Sequence, residues 1–159
     1  MTTRFISAAA FSALLLAPLA ALACPHHGAG QHSVLASHGG AAGLAADVAR
    51  TLDIGMLDTM RFAPDALRFT RGQTIRFNVR NGGQAQHEIV IGTSTDIKRH
   101  RQAMREDPGM AHGAANMAHV PPGDTQQLLW KFEHAGQFEF ACLLPGHYEA
   151  GMRGTITVI

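Results

Sequence analysis

The most specific chemistry in the sequence sits in eleven residues near its end, Cys142-Leu143-Leu144-Pro145-Gly146-His147-Tyr148-Glu149-Ala150-Gly151-Met152. A thiol, an imidazole and a thioether share this stretch, with four residues between Cys142 and His147 and another four between His147 and Met152. Pro145-Gly146 turns the chain, and a loop closing on itself can bring the three side chains to one point. A fourth donor must then come from a neighbouring strand. His87 is the candidate, because it shares the parity of Ile89 and Ile91 and so faces inward with them. Two histidines and one cysteine in trigonal array, with a weak axial methionine, form a copper site that passes single electrons. Thiolate and thioether suit Cu(I), while imidazole serves both oxidation states. Phe138, Phe140, Leu143 and Leu144 can supply the apolar surround that tunes such a site.

Each residue also has an ordinary reading. Cys142 alone is a plausible buried core cysteine, but that leaves the register of His147 and Met152 without a reason. His87 can be a core histidine and Met152 core filler. Zinc held by one Cys and two His is chemically possible, and the thioether argues against it. A Cys142/His147 nucleophile pair is the enzymatic alternative. It gives Met152 no role, and the sequence names no third orienting group. Redox-active copper binding rather than catalysis is therefore the expectation.

The ending Phe138-Glu139-Phe140-Ala141-Cys142 through Gly154, with the His87-Glu88-Ile89-Val90 stretch, resembles the cupredoxins, small type 1 copper proteins. The resemblance runs from about residue 51 to residue 159. It implies a Greek-key β-sandwich or barrel, copper cycling between Cu(II) and Cu(I), and the ligand set His87, Cys142, His147 and Met152. It also implies a monomer that exchanges electrons or copper with other periplasmic proteins. The spacing departs from plastocyanin, where Cys and His are closer, and is similar to rusticyanin-type ligand loops, so a blue and a green site both stay open. Asn78 and Asn81 are noted because family members often set an Asn beside the site.

The elements that must position these residues read as strands. Ile75, Phe77 and Val79 alternate with Thr74, Arg76, Asn78 and Arg80, and Asn81-Gly82-Gly83 ends the run as a turn. Leu128, Trp130 and Phe132 alternate in the same way, as do Phe138, Phe140 and Cys142, and then Ile156 and Val158. Ile54, Met56, Asp58, Met60 and Phe62 share one parity more weakly, and Leu67 to Phe69 is a short extended piece. Short strands bounded by turn signals indicate an all-β sandwich or barrel. One long connection over 93–124 interrupts them; it is polar, allows a short helix over 96–106 before Pro108, and has no strand pattern. A connection of this length usually has a function or is disordered. It carries His100, Met104, Met110, His112, Met117 and His119, of which the last five form a candidate accessory copper or docking region.

Composition bounds the rest. The 159 residues hold 13 Lys+Arg and 12 Asp+Glu, a net charge of +1. Without the first 23 residues, whose one charge is Arg4, the balance is even. That argues against nucleic acid or a polybasic membrane contact. The length suits one core. Arg4, the apolar run from Phe5 to Leu22 and the Ala21-Leu22-Ala23 cleavage pattern read as a signal peptide over 1–23. Export to the periplasm is expected, with no membrane segment in the mature chain. Lipid attachment at Cys24 is the lesser alternative, since Ala21 stands where lipoboxes usually carry Leu. In an oxidising compartment a Cys24–Cys142 disulfide is the ordinary use of the two cysteines. Residues 24–46 read as a flexible leader without charged or aromatic residues, and its His26, His27, His32 and His38 are further accessory copper candidates. The copper domain is then 47–159. The additional Met and His residues resemble copper-tolerance cupredoxins, and an electron carrier between periplasmic redox proteins is the alternative role.

Overall fold

The computed structural model describes residues 39–107 and 113–159. Among these residues ten strands form two five-stranded sheets. They are β1 (Gly40–Ala42), β2 (Val48–Leu57), β3 (Arg61–Ala63), β4 (Ala66–Phe69), β5 (Thr74–Asn81), β6 (His87–Gly92), β7 (Met117–Val120), β8 (Thr125–Phe132), β9 (Gly136–Ala141) and β10 (Arg153–Val158), with helix α1 (Ser94–Glu106) between β6 and β7. The first sheet runs β1-β8-β5-β2-β3 and the second β4-β10-β9-β6-β7. The molecule is thus the all-β sandwich that the alternating patterns require.

The pleat sorts the side chains. Ile75, Phe77 and Val79 of β5 and Leu128, Trp130 and Phe132 of β8 point between the sheets, where Phe138, Phe140, Ile156 and Val158 meet them. Phe69 stacks on Phe132 at 5.3 Å between centroids, and Phe62 meets Phe140 edge-on at 5.0 Å. Such pairs add about 0.5–1.5 kcal/mol each beyond area burial. This aromatic layer gives the site a rigid floor.

Three features depart from the sequence pattern. Residues 40–42 lie inside the expected leader, yet they pair with β8, Gly40 opposite Phe132 and Ala42 opposite Trp130. The sandwich therefore begins before residue 47. Small residues are required there, since a Cβ at Gly40 would lie 2.2 Å from the Lys131 carbonyl oxygen. The connection over 93–124 is the second. Its Thr93 caps α1 through a reciprocal box with Asp96, and the helix ends before Pro108 as expected, but β7 then adds a strand to the sheet edge beside β6. The third is β6 itself, buried on both faces. Its outer face is covered by α1, with Ile97 packed against Val90, Ala141 and Leu143.

Candidate metal centre

β6 presents His87 inward from one sheet strand, and β9 delivers Cys142 one residue past its end. The loop 143–152 closes on itself through backbone bonds. The Cys142 N–H donates to the Met152 carbonyl, and the Met152 N–H to the His147 carbonyl, both at 3.0 Å. Gly146, at φ +85°, takes the left-handed turn that L side chains resist. Arg61 braces the loop from the other sheet, its Nη1 donating to the Ala150 carbonyl at 2.8 Å.

Three donor atoms converge as a result. His147 Nδ1 lies 3.2 Å from Cys142 Sγ and 3.3 Å from His87 Nδ1. All three lie within 4.8 Å of one another, the one such group of His, Cys, Asp and Glu among the described residues. Bonds of ~2.0–2.3 Å to a first-row divalent ion would set trigonal donors about 3.5–3.8 Å apart, so small outward shifts admit an ion. Met152 is fully buried in the same core cluster as Cys142. Cys142 is a free thiol, which does not support its use in a disulfide.

The electrostatics suit a soft cation. Burial pushes the Cys142 thiol up to about 11, and the nearby Glu88 carboxyl adds to this. Backbone N–H groups of Glu88 and Leu144 act in the opposite direction. His147 is held below the usual imidazole range, first by burial and then by His87. It therefore offers a lone pair at neutral pH. Without metal the pocket keeps a neutral thiol, so binding must expel its proton.

Two surrounding residues were missed by pattern reading. Glu88 has the parity opposite to His87, Ile89 and Ile91, yet it is fully buried. Its Oε1 accepts from the Leu143 N–H at 2.9 Å, next to Cys142, and its Oε2 lies 3.0 Å from His119 Nε2. Burial pushes the Glu88 carboxyl up to about 7, with the Leu143 N–H opposing. Asp58 sits in the turn after β2, its Oδ1 3.2 Å from His87 Nε2. The only sequence signal for it was an acid breaking an otherwise apolar parity. Asn81 is buried, but it braces the other side of the site. It donates to the Ala85 and Val120 carbonyls at 2.8 and 2.9 Å and accepts from the Gly83 N–H at 2.9 Å. Asn78 bonds Asp53 and Gln127 at the surface, away from the site.

Among the described residues, the accessory candidates are not gathered with the three converging donors. Met104 is buried on α1, Met117 half-buried on β7, and His119 lies on β7 beside Glu88. His26, His27, His32, His38, Met110 and His112 lie outside the described residues, as do Cys24 and residues 1–23, expected to be a signal peptide. Leu143 is buried under α1, which leaves Leu144 and Pro145 on the rim.

A buried thiol between two imidazoles, at the end of a two-sheet sandwich, defines a class of copper protein. Residues 47–159 match the model of the plastocyanin/azurin family of copper-binding proteins, and the chain belongs to that family, with copper as its metal. Among individual proteins, the copper-resistant cuproprotein CopI of Rubrivivax gelatinosus is 44% identical over 133 residues, covering 84% of this chain and 80% of that protein. The copper-resistant cuproprotein CopI of Pseudomonas aeruginosa is 34% identical, covering 72% of this chain and 78% of that one. Auracyanin B superposes with a TM-score of 0.64 at 22% identity, covering 77% of this chain and 98% of that one. The fold is therefore that of a cupredoxin, and the protein is a copper-handling protein similar to the copper-resistance cuproproteins.

Proposed function

We propose that this is a periplasmic copper-tolerance protein whose redox-active type 1 centre is held by His87, Cys142, His147 and Met152. The observation that carries the reading is the group of three donors within 4.8 Å, with its thiol fully buried. Copper bound there supplies a one-electron Cu(II)/Cu(I) couple. The chain supplies the rest. His87 and His147 give unprotonated nitrogens, Cys142 gives up its proton, and Met152 closes the set from within the core. The braces from Arg61, Asn81 and Glu88 hold the donors so that little rearrangement accompanies electron arrival.

The tolerance role is supported by the resemblance to copper-resistant cuproproteins. It includes accessory copper capture by Met104, Met110, His112, Met117 and His119, and by His26, His27, His32 and His38 of the leader. Export through a signal peptide over 1–23 belongs to the same proposal. Among the described residues no helix is long and apolar enough to cross a membrane. The test is copper stoichiometry on the mature protein. More than one copper per chain, with the excess lost when Met104, Met110 and Met117 are replaced, is the expected result. A stoichiometry of one that those replacements leave alone contradicts the accessory role.

A second reading is a monomeric electron carrier between periplasmic redox proteins. The half-exposed His147 beside Leu144 and Pro145 favours it, since that edge offers a docking and transfer surface. Under this reading, deletion of the gene changes copper sensitivity little, and replacing His147 abolishes transfer to the partner. Under the tolerance reading, the deletion strain is clearly more copper-sensitive.

A further inference from the structure

We propose that Asp58 is a positioning residue of the copper centre: its carboxylate fixes the His87 ring with Nε2–H outward and Nδ1 toward the metal, and its charge favours the oxidised ion. The inference rests on the copper reading above and adds to it a residue that no motif contains.

The placement of the carboxylate is built rather than incidental. Oδ2 accepts from the Gln84 N–H at 2.7 Å and Oδ1 from the Ala85 N–H at 3.1 Å, so the loop leading into His87 wraps the group. These two amides hold the Asp58 carboxyl below its usual range. A Cβ at Gly83 would lie 2.1 Å from Oδ1 and 2.6 Å from Cγ, so the chain passes as close as glycine permits. Asn81 pins the same loop from its other side through the Gly83 N–H and the Ala85 carbonyl. A surface side chain of 42% exposure is thereby held at one point.

His87 is fully buried, so its ring nitrogens meet protein rather than water. A carboxylate can only accept, so the nitrogen facing it at 3.2 Å is the one that carries hydrogen. Nδ1 is then bare, 3.3 Å from His147 Nδ1. The ligand tautomer is therefore set before metal arrives. A carboxylate on the far nitrogen also sets negative charge beside the site, which stabilises Cu(II) more than Cu(I). Removing such a partner typically costs about 10–100-fold in metal affinity. If that loss falls on Cu(II) alone, the one-electron potential rises by about 59–118 mV.

The test uses the mature protein and its Asp58→Asn, Gly83→Ala and Asp53→Asn variants. Wild type must first show a thiolate-to-copper absorption band; its absence refutes the copper reading itself. Nitrogen NMR of the metal-free wild type should then show His87 as the Nε2–H tautomer, a measurement that needs no variant. Asp58→Asn should keep the band and raise the potential by about 59–118 mV. Gly83→Ala, which crowds the carboxylate out, should shift it the same way, and Asp53→Asn, remote from the site, should not. An Nδ1–H tautomer in the metal-free wild type overturns the proposal. So does a folded Asp58→Asn or Gly83→Ala protein with the wild-type potential. If neither variant folds, the tautomer decides.

Discussion

Copper uptake should expel one proton per site at pH 8, and the structure fixes where it comes from. Cys142 has no exposure, and its thiol is pushed up to about 11. At pH 8 only about one chain in a thousand then carries the thiolate, which costs binding about 4 kcal/mol relative to a preformed anion. The other groups near the sulfur contribute little there. His147 lies below the usual imidazole range and is already neutral, and Glu88, at about 7, is mostly ionised. The assay is isothermal titration calorimetry of the metal-free protein with Cu(II) in two non-chelating buffers of different ionisation enthalpy. About one proton should be released at pH 8, and the apparent affinity should rise about tenfold per pH unit between pH 8 and 10. Cys142→Ser should remove both effects. No proton release at pH 8, with a flat affinity profile, would refute the reasoning, because the thiolate would then be preformed.

Three further outcomes follow from the surroundings of the site. Glu88 has a folded value of about 7 against an ordinary 4.5, so its contribution to metal-free stability is present below pH 4.5 and is lost as pH rises through 7. Urea unfolding at pH 5 and pH 8 should show a loss of up to about 3 kcal/mol, and Glu88→Gln should flatten it; an unchanged slope in the variant would assign the loss elsewhere. Asn81→Ala removes three side-chain hydrogen bonds and should cost about 3 kcal/mol, measured by denaturant midpoint. A cost under about 1 kcal/mol would mean that the loop before His87 is held otherwise. Phe140→Ala, in the fully buried layer beneath the site, should cost about 3–5 kcal/mol in the same assay.

What the sequence disclosed and what it withheld have separate physical causes. The alternation of Ile75, Phe77 and Val79 reports a strand half in the core, and the structure buries those three residues. The loop over 142–152 stood out because Cys142, His147 and Met152 are close in sequence and chemically unusual together, and the structure gathers Cys142 and His147 with His87. Glu88 was not singled out because strand parity sets it opposite His87, on a face that is usually wet, and α1 covers that face here. Asp58 was missed because it lies 29 residues from His87 and meets it only when the turn after β2 folds across the loop over 82–86. β1 was hidden in a Gly- and Ala-rich stretch, where backbone pairing to β8 leaves no room for the side chains that usually announce a strand. β7 is four residues long, too short for a periodic signal.

The central claim is that Cys142, between His87 and His147, binds copper through its sulfur. Titration of the metal-free mature protein with Cu(II), followed by visible absorption and metal analysis, tests it most directly. The account predicts a strong thiolate-to-copper charge-transfer band that saturates at one Cu(II) per chain at this centre and disappears in Cys142→Ser. No band, or a band that persists in Cys142→Ser, would contradict it.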